Sequence, residues 1–101
     1  MLNTATILSM ISLDQRTPPE LAFEIASRVR ARRKELGLSQ EQLAQKSQVS
    51  LGSLKRFENK HEISLHSLLH LAVALNCEDD FDALFSQRQY RSIHDVINES
   101  R

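Results

Sequence analysis

The stretch at residues 39–59, SQEQLAQKSQVSLGSLKRFEN, most constrains what this chain can become. Each half opens on a serine and continues with helical spacing. Ser39 is placed to cap a first helix, and Gln42, three residues on, completes a capping box. Leu43 and Ala44 then turn inward. Ser50 is placed to cap a second helix, in which Leu54 and Phe57 share one face. Val49 falls between them as an apolar plug. The outward side of the second helix carries Ser53, Lys55 and Arg56. A short helix held at its back by two apolar residues, with hydroxyls, an ammonium and a guanidinium outward, has the size and donor set to enter a DNA major groove. The competing reading is a helical hairpin with a solvated basic face.

Charge placement favours the first reading. The 101 residues carry no net charge, but residues 28–60 hold nine Lys/Arg against three Glu, a net of +6. Residues 61–101 come to −4 and residues 1–27 to −2. A basic block centred on the hairpin and flanked by acidic ends is an electrostatic footprint that the average conceals.

The length suits one small domain with short extensions, whose modest core a dimer would enlarge. No apolar run approaches the ~18 residues of a membrane span. The apolar N-terminal residues lack the basic region and cleavage site of a signal peptide. Cys77 is the single cysteine, so no disulfide framework or zinc finger is expected. These features point to a cytoplasmic, nucleoid-associated protein. Cys77 reads as a small hydrophobe at a helix end, with no basic residue adjoining it in sequence. Paired carboxylates, a nucleophile–base pair and a glycine-rich phosphate loop are all missing, so neither enzymatic activity nor a cofactor is expected.

Read in order, the chain divides into an arm (residues 1–16), a helical domain (17–86) and a tail (87–101). The arm has no clear period; it reads as a disordered tail or as an arm packing on a second subunit or a partner. Thr17 caps a long helix, with Pro18 at its first position, Glu20 closing a capping box and Gly37 supplying the left-handed stop. Leu21, Ile25, Val29 and Leu36 form its buried stripe, with Ala22 and Ala26 beside it. Arg33 falls on the same stripe, where a lone charge is costly. Ser64 caps a further helix over 65–75, too apolar for one narrow stripe, so one face completes the core and another is free for a second subunit. His66 and His70 on it are four apart, a metal-compatible spacing; with no further ligand motif beside them, they read as a solvated or interface pair and no metal site is assigned. Asp79 or Asp80 is expected to cap a fifth helix whose Phe81, Leu84 and Phe85 seal the core or a dimer seam. Ser92 opens a last two-turn segment with Ile93, Val96 and Ile97 on one face, too short to stand alone.

Residues 25–75, about half the chain, resemble the XRE or Cro/cI-type helix-turn-helix family. The matching segments are RVRARRKELGLSQEQLAQKSQVSLGSLKRFEN and ISLHSLLHLAVALN. The resemblance implies an all-α, five-helix lambda-repressor-like DNA-binding domain with short N- and C-terminal extensions. It implies backbone contacts to DNA from Ser39 and Gln40, with Gln40 also bracing the recognition helix. It places base contacts at Ser50, Leu51, Gly52 and Arg56. Leu51 and Gly52 cannot hydrogen-bond base edges, which leaves packing on a thymine methyl and close backbone approach. Direct readout then falls to Ser50, Ser53, Lys55 and Arg56, with Arg56 the best donor to guanine. Asn59 and Lys60, expected just past the helix, are assigned to phosphates. The resemblance further implies an ion pair between Arg33 and Glu58, structural rather than DNA-contacting. Gln48 departs from the family, where glycine is usual at a turn position of positive φ.

A narrower resemblance covers residues 50–85, SLGSLKRFENKHEISLHSLLHLAVALNCEDDFDALF, and a trailing YRSIHDVI. These segments are similar to HipB-like antitoxins, small regulators encoded beside HipA-family kinase toxins. That similarity implies a homodimeric repressor of its own toxin–antitoxin operon, acting on an inverted-repeat operator in double-stranded DNA and joining the toxin or an associated toxin-operon protein. The alternatives are a stand-alone XRE-type regulator of other genes and a helix-turn-helix module serving protein contacts alone.

Overall fold

The structure, a computed structural model, describes residues 15–88. The arm up to residue 14 and the segment opened by Ser92 lie outside the described residues. Four α-helices follow in order: α1 (Pro18–Glu35), α2 (Gln40–Ser47), α3 (Leu51–Lys60) and α4 (Leu65–Ala74). A single 3-10 segment, Glu78–Phe81, closes the series, and the described residues contain no strand.

Local chemistry sets each boundary. Thr17 Oγ1 accepts from Glu20 N at 3.3 Å, supplying the hydroxyl half of the expected box, and Pro18 stands where no intrahelical N–H is needed. At the far end Gly37 takes φ +70°. Its N–H donates to Lys34 O at 3.0 Å and that of Leu38 to Arg33 O at 3.1 Å, the paired bonds of a Schellman stop. Ser39 makes the full capping box on α2: its Oγ accepts from Gln42 N at 3.0 Å, and its own N–H donates to Gln42 Oε1 at 2.8 Å. Ser50 and Ser64 cap α3 and α4 through Ser53 N and Ser67 N.

The core gathers on the inner faces of these helices: Ala26, Leu43, Ala44, Val49, Leu54, Phe57, Leu71, Ala74 and Leu75 are all buried. Helix α2 is the hub, packing on both α3 and α4, while α1 lies against α3. Leu43, Ala44, Leu54, Phe57 and the Val49 plug thus stand where the helical period put them.

Three expectations are corrected. Leu21 and Leu36, assigned to the buried stripe of α1, are exposed; only the middle of that helix, from Ile25 to Arg33, meets the core, and its ends overhang it. Asn59 and Lys60 form the last turn of α3, because His61 takes the left-handed conformation (φ +64°) two residues later than expected. The fifth α-helix is replaced by the 3-10 segment and a run of turns. Neither Asp79 nor Asp80 serves as its cap; Cys77 stands there without a side-chain cap bond. Successive bonds join Asp80 N to Cys77 O, Asp82 N to Asp79 O and Leu84 N to Phe81 O. All span three residues, the tighter winding used in short pieces. Phe81 is half-buried, but Leu84 is exposed and Phe85 is 96% exposed, so they do not seal the monomer core.

Candidate nucleic-acid interface

The candidate interface is the outer side of α3 together with the start of α2. Burying Leu54 and Phe57 against α2 fixes which side of α3 faces out. On that outer side Ser50, Gly52, Ser53, Lys55, Arg56, Asn59 and Lys60 are exposed, as is Ser39 at the head of α2. Leu51 is half-buried and packed on the core, so only part of its surface is left to meet a ligand. Gln40 is also half-buried and points at α3 rather than away from the protein. The structure therefore gathers eight of the ten sequence-assigned residues on one exposed surface and gives Leu51 and Gln40 a second duty inside the fold.

The inner brace of this surface is the Glu58 carboxylate, whose side chain is 3% exposed. Arg33 donates to it twice, Nε to Oε2 at 2.9 Å and Nη2 to Oε1 at 3.0 Å. Gln40 Nε2 donates to Oε1 at 3.1 Å, and Arg33 Nη1 also donates to Leu38 O at 2.8 Å. Arg30 adds a longer approach at 3.7 Å. A bidentate guanidinium with its spare donor taken by a carbonyl is the arrangement in which a buried ion pair is fully satisfied. It ties α1, the start of α2 and the end of α3 at one point.

On the outer face the hydroxyls of Ser50 and Ser53 lie 2.8 Å apart, Ser50 donating while its oxygen also caps Ser53 N. Arg56 donates through Nε and Nη2 to Glu62 Oε2, at 3.2 and 2.6 Å. This partner was not legible in the sequence. Glu62 lies six residues on, beyond the helix end, and only the reversal at His61 brings it back. The contact occupies the Nε–Nη2 edge of the guanidinium and leaves Nη1 without a hydrogen-bond partner among the described residues. Gly52 has nothing within 4 Å of where a Cβ would stand, and its φ is not in the positive region. The fold itself therefore does not require glycine there. Gln48, by contrast, takes φ +64°: the turn keeps the left-handed conformation with a residue that bears a Cβ.

Two further groups are placed by the fold. The Cys77 thiol donates to Leu75 O at 3.4 Å and packs half-buried against the core. Arg32 reaches the same carbonyl, and its pKa is raised by hydrogen bonds to Cys77 first and Glu35 second. A basic residue therefore adjoins the thiol in space although none does in sequence. Among the described residues no group of three or more His, Cys, Asp or Glu is placed to hold a metal ion, and no helix is long and apolar enough to cross a membrane.

A comparison with known families agrees with this geometry. A family model described as helix-turn-helix matches residues 29–81, just over half of the chain, from the middle of α1 through the 3-10 segment. No curated protein and no solved structure shows a significant match.

Proposed function

The chain belongs to the helix-turn-helix family, a family of DNA-binding regulators, and from that premise we propose that it is a sequence-specific repressor acting as a two-fold dimer. The observation that carries the reading is α3 itself. It is capped by Ser50, anchored inside by Leu54, Phe57 and Glu58, and presents Ser53, Lys55, Arg56, Asn59 and Lys60 on a surface that no other part of the described fold covers. The exposed N-terminus of α2 at Ser39 lies beside it, where backbone N–H groups favour phosphate. Base readout is assigned to Ser50, Ser53, Lys55 and Arg56, packing on a thymine methyl to Leu51, close backbone approach to Gly52, and phosphate contact to Ser39, Gln40, Asn59 and Lys60.

The dimer is supported by what the monomer leaves uncovered. Leu65, Leu69 and Val73 form an exposed apolar row along α4, and Leu84 and Phe85 are exposed beyond it. A second copy covering such surface would set two α3 helices in successive major grooves, about 34 Å apart, and so demand an inverted-repeat operator. The likeness of residues 50–85 and the tail to HipB-like antitoxins extends the proposal to repression of its own toxin–antitoxin operon and to a complex with a HipA-family kinase toxin or an associated protein.

The test is fluorescence anisotropy on the DNA immediately upstream of the protein's own gene, against a scrambled duplex, at two salt concentrations. Selective binding is expected, with log K falling by about 0.9 per log unit of salt for each phosphate contact. Equal, weak binding to both duplexes overturns the repressor reading. Selective binding that a HipA-family kinase from the same operon neither joins nor alters overturns the toxin–antitoxin extension alone.

A further inference from the structure

His66 and His70 stand one turn apart on α4, His66 exposed and His70 half-buried against the end of α2. Their Nε2 atoms are 3.1 Å apart and their rings are inclined at 70°. Two imidazole nitrogens bound to one ion at ~2.1 Å lie ~3.0 Å apart at a right angle and ~3.4 Å apart at the tetrahedral angle. The observed separation, spanned in the metal-free pair by an N–H···N hydrogen bond, falls between these values, so turning the two rings toward a shared point completes a chelate without any rearrangement of the helix. From this juxtaposition we propose that His66 and His70 form a two-nitrogen chelate for a divalent transition-metal ion of the copper–nickel–zinc group.

Three further features bear on the site. His70 Nδ1 lies 3.1 Å from Ser47 O, so that ring donates its Nδ1–H to a backbone carbonyl and keeps its Nε2 lone pair for the side facing His66. This is the outer hydrogen bond that orients metal-binding histidines. In the metal-free pair His66 Nε2–H then donates to His70 Nε2; metal binding moves that proton to Nδ1 of His66, and no proton need leave a neutral pair. Ser47 is the last residue of α2, so carbonyls at the negative end of that helix dipole lie beside the site and favour a cation. Lys46 lines the same open groove and opposes a cation, but across solvent this repulsion is small. Two protein ligands leave the remaining positions to water, which suits an exchangeable ion rather than a structural one. Imidazole donors with open positions favour Cu²⁺ most, then Ni²⁺ and Zn²⁺.

The consequence is local stiffening. A chelate across one turn of α4, with His70 still bonded to Ser47, fastens α4 to the end of α2 directly behind the turn that leads into α3. The proposal rests on the histidine geometry alone and survives if DNA binding fails.

The experiment is calorimetric titration of the full chain, freed of any affinity tag, with CuCl₂, NiCl₂ and ZnCl₂ in a non-chelating buffer, alongside thermal melts. One ion per chain and a raised melting temperature are expected, with Cu²⁺ tightest. His66→Gln, which removes an exposed ring and leaves the Ser47 bond intact, is expected to weaken Cu²⁺ at least ~10-fold. His70→Gln is expected to do the same, and His61→Gln, whose ring packs on Phe23 elsewhere, to change nothing. Nitrogen hyperfine structure from two imidazoles in the Cu²⁺ electron paramagnetic resonance spectrum supports the chelate. Undiminished Cu²⁺ affinity in His66→Gln, or no binding at millimolar metal, overturns it.

Discussion

Helix α3 contributes one partner to an arginine–glutamate pair on each side, and the two pairs differ most in their exposure to water. On the inner side Arg33 grips Glu58 with two bonds of 2.9 and 3.0 Å, and the side chains are 9% and 3% exposed. On the outer side Arg56 grips Glu62 with bonds of 3.2 and 2.6 Å, at 67% and 64% exposure. Inside, the pair has lost its hydration and must stay satisfied, so it fixes the position of α3 relative to α1 and α2. Outside, water competes for both partners, so the pair can open to any ligand offering a better acceptor. The same chemistry thus holds the helix on one face and remains exchangeable on the other.

The largest effect expected from breaking this comparison is on the inner side. Arg33→Ala leaves Glu58 buried with only Gln40 and the distant Arg30, and a loss of about 3–5 kcal/mol in unfolding free energy is expected. Urea or thermal unfolding measures it. The double change Arg33→Met with Glu58→Leu is expected to recover most of the loss, because it removes the stranded charge. If Arg33→Ala weakens DNA binding while the melting temperature holds, the structural role of this pair is wrong.

On the outer side the expected loss moves from stability to binding. Arg56→Ala is expected to change unfolding free energy by less than about 1 kcal/mol, the range of an exposed pair. Its DNA affinity is expected to fall by about 1–3 kcal/mol, with preference relaxed at one base pair per half-site. Binding measured against a set of single-base operator variants separates this from a phosphate contact, which would weaken all sequences alike.

The legibility of the two sides followed the range of the interactions involved. Caps at Thr17, Ser39, Ser50 and Ser64, the Gly37 stop, and the buried faces of α2 and α3 rest on spacings of three or four residues, and each is where the sequence put it. The Arg33–Glu58 pair spans 25 residues and was accessible only through family resemblance. The Arg56–Glu62 pair depends on the left-handed turn at His61, a non-glycine position that carries no composition signal. The missing fifth helix has a similar cause. Its apolar residues suggested a buried face, yet Leu84 and Phe85 find no surface among the described residues to bury against, and without that packing a short segment winds as turns.

Gly52 sharpens the comparison within the outer face. Nothing in the protein stands where its Cβ would be, and a helical glycine costs about 1 kcal/mol relative to alanine. Gly52→Ala is therefore expected to raise unfolding free energy by up to about 1 kcal/mol. If the α3 backbone approaches DNA closely at this point, the same methyl group lowers affinity. Opposite signs in the two assays mark a residue kept for its ligand; a gain in stability with unchanged affinity removes Gly52 from the interface.

The smallest effect on stability is expected at Glu62. Glu62→Gln removes a charge but keeps an acceptor within reach of Arg56, so unfolding free energy is expected to shift by no more than about 1 kcal/mol. Two consequences for binding oppose each other. Loss of a carboxylate beside the interface raises affinity for every duplex, most at low salt, where exposed charges are least screened. A neutral acceptor holds Arg56 less firmly than the carboxylate does, so its guanidinium is less well aimed and discrimination at its base pair falls. Tighter binding to scrambled DNA with a narrower margin for the operator is the expected result, read from paired anisotropy titrations at two salt concentrations. Tighter binding with undiminished discrimination would show that Glu62 acts on Arg56 only as a competing charge and does not orient it.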